Sequence, residues 1–170
     1  ARIARPGRPL AVALEHSDRT VDKRCLLGPT PEAVAFADEI RRDHPSFGLV
    51  MDLSHLRLLE EGPREAVLTA EGRIVLAHVA NCVAGEPENP LFGDKHPPFG
   101  VPGSSVGVGA VAGFLSALRE AGYLRNEPLG RPATVSLEIK SPPGARPETV
   151  LADAKRVLRQ AGAMLEEGSR

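Results

Sequence analysis

The stretch Gly48-Leu49-Val50-Met51-Asp52-Leu53-Ser54-His55 decides how this chain is read. Gly48 to Met51 is apolar without alternation, which is the pattern of a short strand covered on both faces rather than on one. The run ends in a carboxylate, and an imidazole follows three residues on. Parallel α/β sheets gather their chemistry at the C-terminal ends of their strands. Asp52 therefore belongs at a strand tip, with His55 in the loop or helix that follows.

Three other strand-like runs end the same way. Leu10 to Leu14 leads to Glu15, Arg73 to Ala77 leads to His78, and Thr134 to Leu137 leads to Glu138. Helical signals separate them. Thr30-Pro31-Glu32 starts a helix, with Thr30 as N-cap and Pro31 at the first helical position. Ala33, Val34, Ala37 and Ile40 form its apolar face. Gly62-Pro63 opens a second helix. Residues 106–123 are amphipathic around Val111, Phe114, Leu115 and Leu118, and a last helix begins at Pro147 with Val150, Leu151, Ala154, Val157, Leu158 and Ala161 facing inward. Two long loops, 16–30 and 85–105, interrupt the alternation, and loops of this length are usually functional or mobile. Four strand–helix units in succession predict a parallel sheet with right-handed crossovers. They make half of a (β/α)8 TIM barrel, which typically takes about 250 residues. We read residues 1–170 as a single domain and residues 1–8 as a linker from an upstream half. A freestanding four-strand sheet, or two halves pairing, is the alternative.

Composition narrows the function. With 21 basic and 22 acidic residues the net charge is −1, so there is no electrostatic footprint for nucleic acid or an anionic membrane. Aromatics are 4% and Trp is absent, which argues against a stacking platform for single strands. No apolar run approaches the length of a membrane span. Cys25 and Cys82 are too few for a disulfide framework, and a reducing, cytoplasmic setting is the expectation. Cys82 reads as a small buried apolar residue, and His16 and His44 read as exposed.

Neighbouring strands lie about 4.8 Å apart, so Glu15, Asp52, His78 and Glu138 are expected to point into one bowl. Three carboxylates and an imidazole suit one divalent cation such as Mn²⁺, Mg²⁺, Co²⁺ or Zn²⁺. Without it the carboxylates would repel and some would stay protonated. His55, Asp94 and His96 add a second tier from the loops, and Lys140, just beyond Glu138, is a candidate substrate contact.

The order of these residues resembles the C-terminal half, strands five to eight, of the xylose-isomerase-like TIM-barrel superfamily. That group holds sugar-phosphate isomerases and epimerases, ketose 3-epimerases, inosose dehydratases and the endonuclease IV class. Glu15 matches the strand-five metal ligand, Asp52 and His55 the strand-six Asp-x-x-His, His78 the strand-seven His, and Glu138 the strand-eight Glu. Gly93-Asp94-Lys95-His96-Pro97-Pro98-Phe99-Gly100 resembles the loop after strand seven. The resemblance implies a sugar or sugar-phosphate isomerase or epimerase, working by proton transfer through a metal-stabilised enediolate. Glu15 and Glu138 would then be ligands and acid/base partners, Asp52 and His78 ligands only, and His55 and His96 donors to substrate oxygens. A second reading within the superfamily is a multi-zinc phosphodiesterase of the endonuclease IV type, for which Asp94, His96 and His55 would be further ligands; the lack of basic surplus weighs against it. A non-catalytic binding half-domain is the third. Pairing of copies is compatible with such a barrel.

Overall fold

The computed structural model describes residues 11–167. Four parallel strands, β1 (Val12–Glu15), β2 (Phe47–Asp52), β3 (Ile74–Ala80) and β4 (Val135–Glu138), form one sheet in the order β1-β2-β3-β4. Helices α1 (Thr30–Arg41), α2 (Leu53–Leu58) and α3 (Pro63–Thr69), then α4 (Val108–Glu120) and α5 (Pro147–Glu167), alternate with them. The chain is thus the expected half of a (β/α)8 barrel.

One face of the sheet carries the core. Leu49, Met51, Ile74, Ala77 and Val79 pack against Ala33 and Ala37 of α1, Val67 of α3, Phe114 and Leu118 of α4, and Val157 and Ala161 of α5. Burying each large apolar side chain there stabilises the fold by roughly 1.5–3 kcal/mol before entropy is counted. On the other face Ala13, Val75 and Leu76 remain partly or fully exposed. Among the described residues the outer edges of β1 and β4 are unpaired. A parallel sheet is ordinarily covered on both faces, so this one has the surface of a barrel interior. Gly48 belongs to that tight inner packing, since a Cβ there would meet Val75 Cγ1 at 2.3 Å and Arg73 O at 2.8 Å.

The register sets the height of each strand tip. Glu15 pairs with Val50, Asp52 with His78, and Ala80 with Glu138. Partners in a parallel ladder share a face, and residues two apart do too. Glu15, Asp52, His78 and Glu138 therefore all project to the open face, climbing from β1 to β4 with the stagger that barrel closure requires.

Three expectations are corrected. His78 lies inside β3, which runs on through Val79 and Ala80; the apolar residues after it extend the ladder. Thr30 does not cap α1, whose N-cap position is Pro29. The Thr30 hydroxyl instead donates to Glu61 Oε2 at 2.5 Å and lies 3.0 Å from His16 Nε2. His16 is accordingly buried rather than exposed, and burial pulls its pKa down to about 4. His44 is exposed and Cys82 buried, as read; burial pushes the Cys82 thiol up to about 12. The segments 1–8 and Leu10 lie outside the described residues. No helix among the described residues is long and apolar enough to cross a membrane.

Candidate metal centre

Asp52 does two things at the end of β2. Its Oδ1 accepts from Ser54 N at 2.6 Å, Ser54 Oγ at 2.6 Å and His55 N at 3.2 Å, which caps α2. Capping of this kind is worth about 1 kcal/mol. The other oxygen, Oδ2, is buried and has no hydrogen-bond partner. The cap fixes the carboxylate so that its unused oxygen faces the bowl.

His78 stands beside it. Its Nδ1 lies 2.6 Å from Glu138 Oε2, 3.1 Å from Glu15 Oε1 and 3.7 Å from Asp52 Oδ2. One N–H cannot serve three carboxylates, but one cation can accept all four donors. The four residues each offer a ligand atom within 4.8 Å of the others. This geometry, together with the orphaned Asp52 Oδ2, fits a divalent ion. Without one, the hydrogen bond that His78 donates to Glu15 holds His78 more basic than usual, helped by the charges of Glu138 and Asp52. His78 in turn makes Glu15 more acidic, against its partial burial. A bound cation would take over the stabilising role of that proton.

A second tier lies alongside. His55 Nδ1–H donates to the His16 carbonyl at 3.1 Å, which aims Nε2 at Asp94 Oδ2, 3.2 Å away. Burial works to lower the His55 pKa, but Asp94, Asp52 and Glu15 outweigh it and raise it to about 9. Asp94 also contacts His96 Nε2, and His96 Nδ1 lies 3.4 Å from Glu138 Oε1. His96 is likewise more basic than usual despite burial, chiefly through Asp94. Burial opposes ionisation of Asp94, but the two imidazoles hold its carboxyl well below the usual range. Asp52, His55 and His96 form a second group with ligand-type atoms within 4.8 Å. His96 takes a left-handed backbone (φ 48°), a strained conformation for a residue with a side chain. Its carbonyl accepts from Lys140 N at 2.8 Å, tying the loop to the end of β4.

Every expected site residue thus comes to one place. Glu15, His55, Asp94, His96, Glu138 and Lys140 line a cleft of about 250 Å³, with Asp52 and His78 at its wall. Ser17 and Cys25, not singled out in the sequence, line the same cleft, as does Lys23, which together with Asp18 and Asp22 reads in sequence as a solvated loop charge. Asp18 is instead buried, and its carboxylate accepts from the backbone N–H of Val21, Asp22 and Lys23. An Asp followed by several polar loop residues is a turn signal, but it does not say where the turn docks. Asn81 holds the wall of the β3–α4 loop, accepting from Val106 N and donating to Pro98 O.

No protein-family model matches the sequence, and a search of characterised proteins finds no match. Solved structures do match. D-psicose 3-epimerase with D-fructose aligns at TM-score 0.58 and 17% identity, over 92% of this chain and 50% of that one. D-psicose 3-epimerase with D-tagatose, from Clostridium cellulolyticum H10, aligns at 0.57 and 17%, over 90% and 48%. L-ribulose 3-epimerase aligns at 0.56 and 19%, over 95% and 51%. The chain spans about half the length of these structures. The likeness shows the fold of this chain as half of a (β/α)8 barrel.

Proposed function

We propose that this chain carries the metal-binding half of a divalent-metal-dependent sugar isomerase or epimerase. The observation that supports this most is the convergence of three carboxylates on His78 Nδ1, at 2.6, 3.1 and 3.7 Å. Glu15, Asp52, His78 and Glu138 would hold one divalent ion. When bound, such an ion polarises a carbonyl and its neighbouring hydroxyl on the sugar.

The remaining chemistry belongs to the protein. Glu15 and Glu138 come from the two edge strands, and both carboxylates are partly open to the cleft. They stand on either side of a bound sugar, one removing the proton next to the carbonyl and the other returning it. His96, whose Nε2 contacts the buried Asp94, presents Nδ1 to sugar oxygens beside Glu138, and His55, with Nδ1 on the His16 carbonyl and Nε2 on Asp94, braces that arrangement. Asp94 acts by orienting them, and Lys140 binds at the rim. The three solved structures named above are sugar 3-epimerases, which agrees with proton transfer at a carbon beside a carbonyl. The substrate is a free small molecule; a complementary half barrel would wall the far side of the cleft.

Metal analysis of the full-length protein tests this. One divalent ion per chain, lost in Asp52→Asn, is the expected result. The second ligand group, Asp52, His55 and His96, favours a rival: two or three zinc ions per chain would replace the isomerase with a phosphodiesterase. No metal at all would leave a binding role.

A further inference from the structure

Lys23 is held over the cleft by more structure than a solvent-facing lysine needs. Asp18, almost fully buried, accepts from Val21 N at 2.6 Å, Asp22 N at 2.9 Å and Lys23 N at 2.9 Å. One carboxylate thus fixes three successive backbone amides into a rigid turn. The turn is docked in its own right. Asp22 Oδ2 accepts from Asp94 N at 2.9 Å and pairs with Lys95 Nζ at 3.0 Å. Gly93 makes room for it: its φ is +90°, and a Cβ there would meet Asp22 at 2.8 Å. The β1–α1 loop is therefore latched onto the β3–α4 loop, and the latch leaves Lys23 lining the cleft.

The Lys23 ammonium lies 3.4 Å from Asp94 Oδ2 and is 45% exposed. Asp94 already has His55 and His96 and does not require it. With three donors on the ammonium, at least two remain available. Lys140 lines the same cleft from the end of β4. It lies two residues past Glu138, beyond the end of β4, and both side chains line the cleft. Its ammonium makes no ion pair among the described residues, while its backbone is pinned to His96 O. Both lysines stand beyond the carboxylate tier, at the mouth of the cleft. An anionic group on a substrate would be repelled by Glu15, Asp52 and Glu138 at the floor and has only the mouth to occupy.

We infer that Lys23 and Lys140 form an anion-binding pair, so that the sugar taken by this site carries a phosphate ester or a carboxylate at the end away from the reacting carbons. This rests on the reading of the cleft as a sugar site. Lys23 is the specificity-determining residue, and Asp18 and Asp22 position it.

Calorimetric titration of the full-length, metal-loaded protein with inorganic phosphate, repeated after chelation, tests the pair. Binding that persists without metal is expected, and it weakens about tenfold or more in Lys23→Met and in Lys140→Met, as loss of a charge-assisted hydrogen bond predicts. Lys23→Arg keeps it. Titrating the loaded protein with D-fructose, D-fructose 6-phosphate and D-glucuronate separates the two anions: preference for the phosphate ester or for the uronate names the source. Equal binding of all three, or phosphate binding unchanged in Lys23→Met, overturns the inference. Phosphate binding that depends on Lys23 alongside sugar binding indifferent to metal would instead overturn the isomerase reading and leave the anion site standing.

Discussion

The two ends of the sheet are built on opposite terms. At the N-terminal end, charged groups at the surface are paired with one another or with the backbone. Arg73 donates to both oxygens of Asp38 at 2.9 Å and to Glu71 O at 2.8 Å. Arg41 donates to Phe47 O, and Tyr123 Oη donates to Thr134 O while accepting from Thr134 N. At the C-terminal end Asp52, His55, Asp94 and His96 are buried. Yet Asp52 Oδ2 has no hydrogen-bond partner, and His96 Nδ1 has only Glu138 Oε1, 3.4 Å away. Leaving a buried polar atom unpaired costs about 1–3 kcal/mol. A chain that satisfies its polar groups at one end and not at the other is organised at the second end around something it binds. Stability is assigned to one end and chemistry to the other, which is the division found in parallel barrels.

The sharpest break of this division is at Asp52, which serves both. Asp52→Ala should abolish metal binding and cost about 2 kcal/mol, because the α2 cap goes with the ligand. Asp52→Asn should lose the metal while keeping most of the stability, since an amide oxygen can still cap. Metal content read beside a urea melt separates the two roles; metal retained in Asp52→Asn would mean that Asp52 is only a cap. Next in size is Glu138→Gln. Loss of a positioned acid or base lowers turnover by about a thousandfold, and the half-exposed side chain leaves the melting midpoint near the wild-type value. Turnover that survives in Glu138→Gln would remove it from the proton-transfer role.

How much of this division showed in the sequence follows from what each residue rests on. Asp52, Glu15 and Glu138 were legible because an apolar run stopping at a carboxylate marks a strand end, and strand ends in a parallel sheet converge. His78 was found but misplaced, since a polar residue within an apolar run reads as its end until the ladder shows Val79 and Ala80 continuing. His16 and Thr30 were misread because their partners, each other and Glu61, are distant in sequence. Lys23 reads in sequence as a solvated loop charge for the same reason. Its position depends on Asp18 through three local bonds, and on Asp22 reaching Asp94 across 72 residues. Periodicity reports what a strand or helix buries. It carries no trace of which loop docks on which.

Acidity sharpens the comparison with a smaller effect. The folded protein holds His78 more basic than a free imidazole, through Glu15 first and Glu138 and Asp52 after it. Binding a cation at Nδ1 requires that proton to leave. Raising the pH removes the competing proton and tightens binding; lowering it restores the imidazolium and expels the metal. Affinity should change about tenfold per pH unit while His78 is protonated in the metal-free state, which titrations from about pH 5 up to about pH 6.5, the ordinary imidazole value that His78 exceeds, would show. A flat profile would mean that His78 is not a ligand.

The smallest effect belongs to the other end. Arg73 and Asp38 make a well-formed two-bond pair, each side chain about a third to a half exposed. The hydrogen bond to Asp38 raises the Arg73 pKa and lowers that of Asp38, but solvent screens both charges. Removing such a pair is worth less than about 1 kcal/mol. Arg73→Gln should therefore shift the urea midpoint slightly, with the shift shrinking further in high salt, and should leave metal content and phosphate binding as they were. The backbone of Arg73 matters more than its charge, because its carbonyl accepts from Leu49 N at 2.8 Å and is kept by any residue there. If Arg73→Gln did reduce metal binding, the two ends would be mechanically coupled through β3, the strand that runs from Arg73 to His78. The separation of stability from chemistry would then fail at that strand.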